Sequence, residues 1–197
     1  MKYLSFDIEA TGLDEHDLII EFGMVPFCAK TRTIEYDLKK HFYISCPSFE
    51  ELKPKLNPWV IEHNEVLINK AHSEGLTINL FKSELSKYLE SDQVKKYFNN
   101  EKITLFGKSM SAIDLPFLNR DLGWEFMRKH FMHRQLDLSS VSYNLIDLEF
   151  LPPKCESGTE LMKFFNFGEV AHTALEDAVN TAKIYIEILN NFKGIKK

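Results

Sequence analysis

The sequence predicts an α/β fold in which one mixed β-sheet is flanked by helices. Three β-prone segments follow one another near the N-terminus, joined by short polar links, and helical and extended segments alternate after them. This order is typical of a mixed sheet covered by helices. The chain has 197 residues, 44% of them hydrophobic, which is enough for one substantial core. No repeat, low-complexity tract or linker divides it, so a single domain over 1–197 is expected, with 193–197 as a short basic tail.

The first predicted strand, Tyr3 to Gly12, has the sequence YLSFDIEATG. Strand alternation places an apolar set on a core face and a polar set on the opposite face, namely Leu4, Phe6 and Ile8 against Ser5, Asp7 and Glu9. Neighbours on one strand face are about 7 Å apart, so two carboxylates there repel each other unless a cation compensates them. An acidic pair on a solvated strand face is common, so Asp-x-Glu is a weak metal-site signal by itself.

Four further strands are predicted. The apolar segments 18–27 and 33–44 follow the first strand as an antiparallel meander, and 103–106 and 135–138 are later, shorter strands. These four segments complete a sheet of five strands.

Helix starts are marked by capping residues. Asn57 followed by Pro58 is a helix start, and Thr173-x-x-Glu176 is a capping box for the final helix. Further helices are predicted over 78–89 and 114–122 and after Ser139, which is expected to be a cap.

Composition and charge limit the function. The net charge of -5 gives no basic field for nucleic acid, so a polyanionic partner must be held by local cations or metals. The charge argues against a bulk coat protein for DNA, but not against an active site. The three cysteines, Cys28, Cys46 and Cys155, are widely spaced and predict reduced thiols in a cytoplasmic protein. No apolar run is long enough for a membrane span or a signal sequence, so no membrane association is expected.

Two further acids and a histidine occur near helix starts. Asp114 opens the helix predicted over 114–122, and Asp177 lies in the first turn of the last helix, where acids are ordinary. His172 immediately precedes the last capping box, so only a loop holds it, and it can approach or leave a site without disturbing the helix. Each residue alone is a weak signal.

Together these residues have an order and spacing that resembles the DEDD exonuclease superfamily, in its histidine-bearing branch (DEDDh). The three motifs are DIEATG at 7–12, Asp114 with Phe117 and Leu118, and His172 with Asp177 five residues later. The resemblance extends from the first strand to the last helix. It implies a ribonuclease H-like sheet, an antiparallel meander plus two parallel strands flanked by helices.

The resemblance also implies a 3′ to 5′ exonuclease that uses two divalent cations, Mg²⁺ or Mn²⁺. Hard divalent cations take oxygen ligands, and two ions about 4 Å apart stabilise both the attacking and the leaving oxygen at phosphorus. By family analogy, Asp7 bridges both ions, Glu9 and Asp177 help to hold the first, and Asp114 holds the second. His172 accepts a proton from the attacking water, and the product is a nucleoside 5′-monophosphate.

Further segments resemble the oligoribonucleases and related exoribonucleases. They are Thr11-Gly12-Leu13, the Trp59 helix followed by 72–76, and HRQLD at 133–137 followed by Ser139. In that group the matching leucine and tryptophan pack against bases at the 3′ end, which implies substrate binding by Thr11, Gly12, Leu13 and Trp59. The alternative for Leu13 and Trp59 is that they fill the core.

Exposed basic residues are also candidates for contact with the substrate. Lys108, Arg120 and Arg134 are candidate phosphate contacts, although such residues are usually solvated surface. The chain departs from the oligoribonuclease pattern at His133, where that group has Tyr, and at 107–110, which lacks their Asn. A strict dinucleotide preference therefore does not follow.

Three functions remain open from the sequence. The leading hypothesis is an exoribonuclease on short or single-stranded RNA. The alternatives are a proofreading-type 3′ to 5′ exodeoxyribonuclease and an inactive nucleic-acid or protein binding module. The complete set of five motif residues favours an enzyme, because a binding module does not need four mutually repelling acids. A homodimer is implied only by resemblance to the oligoribonucleases.

Overall fold

A computed structural model describes residues 1–167 and 173–191 of the chain. One mixed sheet has the strand order β3-β2-β1-β5-β6, with β4 also paired to β2. The strands are β1 (Lys2–Ala10), β2 (Ile19–Cys28), β3 (Thr33–Ile34), β4 (Lys40–Tyr43), β5 (Leu105–Gly107) and β6 (Leu136–Asp137). Strand β2 is antiparallel to β1, β3 and β4, whereas β5 is parallel to β1 and β6. The predicted α/β fold with a mixed sheet is confirmed.

The third predicted strand is wrong in one respect, because 33–44 forms two strands instead of one. A single turn of 3-10 helix, Tyr36–Leu38, separates β3 from β4. The amides of Leu38 and Lys39 bond to carbonyls three residues earlier, at 3.0 and 3.2 Å, instead of extending the ladder. Both pieces return to β2, so the sheet has six strands among the described residues. Alternation of apolar residues does not reveal so short an interruption.

Helices surround the sheet on both faces. They are α1 (Phe49–Leu52), α2 (Pro58–His63), α3 (Glu65–Glu74), α4 (Ile78–Glu90), α5 (Asp92–Tyr97), α6 (Asp114–Leu122), α7 (Trp124–His130), α8 (Leu138–Asp147), α9 (Gly158–Phe164) and α10 (Ala174–Asn191). Short 3-10 turns lie at Lys53–Lys55 and Pro153–Glu156. The predicted starts of α2, α4, α6 and α10 are confirmed, and the Asn57 side chain caps α2 through the Val60 amide at 3.0 Å.

One predicted cap is wrong. The cap of α8 is Asp137, whose carboxylate accepts the Ser139 amide at 2.8 Å, so Ser139 lies inside the first turn. A carboxylate at this position satisfies an amide that has no partner within the helix. Asp114 is likewise the first residue of α6 and not its cap, which is Ile113.

Both faces of β1 are covered. The predicted core face is confirmed, because Leu4, Phe6 and Ile8 are buried in the cluster formed with α4 and α6. The other face is not simply solvated, since α10 packs across β1 and β2 and buries Ser5 completely. On this face of β1, the later polar residues Asp7 and Glu9 are only partly buried. The acidic residues are therefore at the edge of a buried helix–sheet interface.

Two further features of the described chain are the state of its cysteines and the character of its helices. All three cysteines are free. Over 1–167 and 173–191, no helix combines the length and the apolar character that crossing a membrane requires.

Candidate active site

The candidate site lies at the edge of the sheet where β1 ends and β2 begins. Asp7 and Glu9 point to the α10 face, and both are partly buried. In the antiparallel register with β2, Asp7 is opposite Gly23 and Glu9 is opposite Glu21, and the ladder is irregular just after Glu9. The two acids that the sequence singled out therefore lie beside one position without a side chain and one further acid.

Helix α10 brings Asp177 to these two acids. A carboxylate oxygen from each of Asp7, Glu9 and Asp177 lies within 4.8 Å of the other two. The helix can approach this closely because β2 has a glycine beneath its first turn. A Cβ on Gly23 would lie only 2.2 Å from the Leu175 nitrogen, a distance that real contacts do not reach.

Two side-chain hydrogen bonds hold the start of α10 against the sheet. The buried Ser5 hydroxyl donates to the Ala178 carbonyl at 2.7 Å. The Glu21 carboxylate accepts the Ala174 amide, at the helix N-terminus, at 3.1 Å. Its other oxygen is 2.5 Å from Nε2 of His41 on β4. These contacts fix the helix on both sides of Asp177, at Ala174 and at Ala178.

Sequence reasoning missed Glu21, Gly23 and Ser5. Glu21 is 1% exposed, which is rare for an acid. The only signal in the sequence is an acid inside an otherwise apolar strand segment, IIEFG, and that signal does not say which residue lies opposite. The role of Gly23 follows from the strand register together with the packing of α10.

Asp114 reaches the site from the opposite face of the sheet. It is the first residue of α6, 4% exposed, and its carboxylate accepts the backbone amide of Ile8 at 3.1 Å. The preceding loop is held by Asp137, which accepts the Ser109 amide at 3.0 Å. Ser109 has a φ of 55°, a left-handed conformation that such a tight connection stabilises.

The four acids perturb one another strongly. Burial, followed by the charges of Asp114, Glu9 and Asp177, raises the pKa of Asp7 well above its usual range. Burial and then Asp177 raise the pKa of Glu9 to about 7. Burial also raises the pKa of Asp114 to about 7, although its hydrogen bond from Ile8 acts in the opposite direction. A cluster of acids with raised pKa values and converging oxygens has the donor chemistry of a hard divalent cation site.

His172 lies outside the described residues, so its predicted place near the acids stays a prediction. The adjacent start of α10 is described. The Thr173 hydroxyl donates to the Glu176 carboxylate at 2.9 Å, and the Thr173 carbonyl accepts the Asp177 amide at 2.9 Å. The described part of the chain therefore resumes one turn before Asp177, at the residue that follows His172 in the sequence.

Two of the predicted substrate residues organise the loop after β1. The Thr11 hydroxyl donates to the Asp17 carboxylate at 2.8 Å and accepts the Leu18 amide at 2.9 Å. Gly12 lies against the same carboxylate, because an added Cβ would be 2.3 Å from it. Thr11 is itself buried, so what the structure shows for it is a loop-closing role.

Two other predicted substrate residues are exposed beside the acids. Leu13 is 74% exposed and Trp59 is 51% exposed, so neither fills the core. Both line a groove of about 330 Å³ that begins at Ile8 and Glu9. An apolar groove that opens at a carboxylate cluster has the form expected for a site that holds a base next to reacting groups.

The three predicted basic residues differ in place, and Arg120 is paired with Asp121 and donates to the Glu15 carbonyl. The positive charge of Lys108 lowers the pKa of Asp114, so Lys108 is close enough to the acids to act on them. Arg134 lines a cavity with Met1 and Tyr3, at the opposite end of β1. The structure therefore does not bring Arg134 to the acids, because β6 begins two residues later and runs parallel to β1 through β5.

The mixed sheet and the four converging acids define an exonuclease domain of the DEDD type. The chain belongs to the exonuclease family, whose model (RNase_T, Exonuclease) matches residues 4–185. No curated protein matches the sequence at a significant level.

Solved nuclease structures share the fold. The nuclease domain of 3'hExo, a DEDDh family member bound to rAMP, is 17% identical over 97% of this chain and 92% of that chain, with a TM-score of 0.66. Cell-death related nuclease 4 (CRN-4) is 16% identical over 97% and 64%, with a TM-score of 0.69. E. coli exonuclease I in complex with a dT13 oligonucleotide is 14% identical over 98% and 41%, with a TM-score of 0.70. The chain thus spans less than two thirds of CRN-4 and of exonuclease I.

Proposed function

We propose that the chain is a 3′ to 5′ exoribonuclease that hydrolyses short or single-stranded RNA to nucleoside 5′-monophosphates. The observation that carries the proposal is the convergence of Asp7, Glu9 and Asp177 oxygens within 4.8 Å, next to the buried Asp114. The mutual repulsion of these acids destabilises the folded chain at neutral pH unless cations compensate their charge. The presence of such a cluster therefore favours a catalytic role.

The four acids would hold two divalent cations, Mg²⁺ or Mn²⁺, which supply charge stabilisation for an in-line displacement at phosphorus when bound. Asp7 is central in the cluster, since the other three acids all raise its pKa, and this supports a bridging role. Glu9 and Asp177 approach Asp7 from the α10 face, and Asp114 from the α6 side. His172 would take a proton from the attacking water, a role that rests on the resemblance alone.

The groove beside Glu9 orients the 3′ end in this proposal. Trp59 and Leu13 present exposed apolar surface there, and stacking on a tryptophan tolerates any base. The sheet-to-helix contacts of Ser5 and Glu21 hold α10, and so position Asp177. Short RNA is favoured because the segments around Leu13 and Trp59 resemble the oligoribonucleases.

The alternative is a 3′ to 5′ exodeoxyribonuclease. It is supported by the similarity of the fold to E. coli exonuclease I, whose structure contains a dT13 oligonucleotide. The acids do not read the sugar, and a contact with the 2′-hydroxyl would be needed to choose RNA. The proposed cytoplasmic location rests on the cysteines, and the proposed homodimer on the resemblance to the oligoribonucleases.

The test is a gel assay on 5′-labelled single-stranded RNA and DNA of one sequence, and on a labelled dinucleotide, with Mn²⁺ or EDTA. We expect metal-dependent shortening from the 3′ end that is strongest on RNA and absent in Asp7→Asn. Asp147→Asn, an exposed acid at the end of α8, is the matched control and should retain full activity. Equal cleavage by Asp7→Asn would refute the assigned site, and a preference for DNA would select the alternative. No cleavage by folded protein would indicate a binding module.

A further inference from the structure

A second groove lies away from the acids, between helices α6 and α7 and the segment that leads into β6. It has a volume of about 570 Å³. Its lining includes the polar residues Lys102, Asn119, Arg128, His133 and Gln135 together with Trp124, and we call it the basic groove. No carboxylate lines it among the residues that the structure describes. This is notable in a chain with 29 acidic and 24 basic side chains, Lys and Arg counted.

The cations of the basic groove are not neutralised by neighbouring acids. Within the described part of the chain, neither Lys102 nor Arg128 forms an ion pair. Cations just outside the groove are paired instead, Lys129 with Glu90 and Arg120 with Asp121. Lys102 donates to the Arg128 carbonyl, which holds its ammonium beside α7 and leaves its charge available. Uncompensated cations gathered at one groove favour an anionic ligand.

An exposed aromatic ring accompanies these cations. Trp124 is 64% exposed, and the Arg128 guanidinium lies 5.4 Å from the centre of the ring. An exposed tryptophan that carries a guanidinium offers a surface for a base and a donor fork for a phosphate. Surfaces that combine stacking rings with cations are typical of single-stranded nucleic-acid binding without sequence preference. The two features therefore point to the same ligand.

The basic groove is also within reach of the acids. Helix α6 begins at Asp114, in the acidic site, and Asn119 on the same helix lines the groove. Asn119 follows Asp114 by five residues within α6, and a helix rises about 1.5 Å per residue, so α6 leads from the acidic site to the groove over roughly 7.5 Å. A strand of a few nucleotides covers this distance.

We propose that the basic groove binds the upstream nucleotides of a single-stranded RNA whose 3′ end lies at the acids. The proposal rests on the proposed exonuclease function, and it adds a second subsite that a dinucleotide is too short to occupy. Lys102 and Arg128 contact phosphates, and Trp124 stacks on a base. Long substrates then bind more tightly than dinucleotides, and more strongly at low salt.

The test compares a 20-nucleotide RNA with a dinucleotide as substrates. Trp124→Ala and the double variant Lys102→Gln, Arg128→Gln are expected to raise KM for the long RNA about tenfold. The kinetic constants for the dinucleotide should not change. Trp124→Phe keeps a ring that can stack and should recover most of the loss. Lys87→Gln, an exposed cation on α4 paired with Glu84, is the matched control and should behave as wild type.

Salt dependence provides a second readout. Removing two phosphate contacts should lower the slope of log affinity against log salt by about 1.4, since each contact to a single strand contributes roughly 0.7. Unchanged KM and slope for the long RNA would overturn the proposal and leave the groove to a protein partner. An equal rise in KM for both substrates would also overturn it. If the wild type cleaves neither substrate, binding of the labelled 20-mer is measured by fluorescence anisotropy instead. Variants that bind the 20-mer as tightly as wild type would then overturn the proposal.

Discussion

Helices α10 and α6 each bring one acid to the end of β1, but they are held there in different ways. Helix α10 is positioned through its backbone. Its first turn lies over Gly23, its Ala178 carbonyl accepts the Ser5 hydroxyl, and its Ala174 amide donates to Glu21. These contacts lie on both sides of Asp177 in the chain, so they contribute to its position through the backbone of α10.

Helix α6 is positioned in part through its acid. The Asp114 carboxylate accepts the Ile8 amide of β1 at 3.1 Å, and Asp114 is almost fully buried. Asp137 supports it from the side by holding Ser109 in the preceding loop. One carboxylate thus serves both as a structural acceptor and as a metal ligand candidate. Two acids of one cluster should therefore respond differently when they are replaced.

The largest effect is expected on activity, from Asp114→Asn and Asp177→Asn. Loss of either carboxylate should lower kcat at least about 1,000-fold, because several kcal/mol of charge stabilisation depends on the full donor set. The free energies of unfolding of these Asn variants are then compared with those of Asp114→Ala and Asp177→Ala, by urea unfolding in EDTA. At 114, Ala should be less stable than Asn by about 1 to 3 kcal/mol, since only Asn still accepts the Ile8 amide.

At 177 the Asn and Ala variants should differ less than at 114, because both keep the backbone contacts of α10 at Ala174 and Ala178. A larger Asn-to-Ala difference at 177 than at 114 would contradict the view that α6 depends more on its acid for its position than α10 does.

The next largest effect is expected from Gly23→Val. The added Cβ meets the backbone of Leu175 at 2.4 Å or less, and backbone cannot move aside as a side chain can. We expect a loss of about 3 kcal/mol of stability and a loss of activity, because α10 must move and take Asp177 with it. Gly158→Ala is the control for stability alone, since the nearest atoms to its Cβ would belong to the flexible end of the Lys108 side chain, at 2.9 Å. A stable and active Gly23→Val protein would show that α10 is not held as described.

The sequence predicted the acids of the site because their residue types and spacing are local properties. Asp7 and Glu9 follow from alternation in β1, and Asp114 and Asp177 from the starts of their helices. The mixed sheet was predictable for the same reason, since its longest strands are continuous β-prone segments. Helices α1, α3, α5, α7 and α9 were not predicted individually, because they are short segments between stronger signals.

The residues that assemble the acids were not predictable in this way. Gly23 and Glu21 matter because the antiparallel register places them opposite Asp7 and Glu9, and because α10 then packs on that face. Register and packing are tertiary properties that one strand's pattern does not contain. Arg134 shows the reverse case, since a motif suggested a phosphate contact and the parallel strand order places the residue away from the acids, so that contact stays a prediction.

A smaller effect is expected from pH on the stability of the protein in EDTA. Raised pKa values of about 7 for Glu9 and Asp114 mean that the folded state binds protons more tightly than the unfolded state. Stability should therefore fall as pH rises from about 4 to about 7, and Tm should drop by a few degrees across this range.

Millimolar Mg²⁺ or Mn²⁺ should restore Tm more at pH 8 than at pH 5, where protons compete with the cation. Asp7→Asn should flatten the pH dependence and also weaken the effect of metal, whereas Asp147→Asn should change neither. A stability that rises with pH through this range would contradict the unfavourable interaction among the acids.

The smallest effect is expected from Ser5→Ala, which removes one of the contacts that hold α10. The hydroxyl donates to the Ala178 carbonyl at 2.7 Å in a fully buried place, so its loss should cost about 1 kcal/mol and lower Tm by about 2 to 4 °C. Activity should fall little, because Gly23 and Glu21 still hold the helix. Ser142→Ala is the matched control, as its buried hydroxyl bonds to the Leu138 carbonyl of its own helix at 2.9 Å. Ser142→Ala should lower the free energy of unfolding less than Ser5→Ala does, because no helix-to-sheet contact is lost. An equal loss in both variants would show that the Ser5 hydrogen bond adds nothing specific to the placement of Asp177.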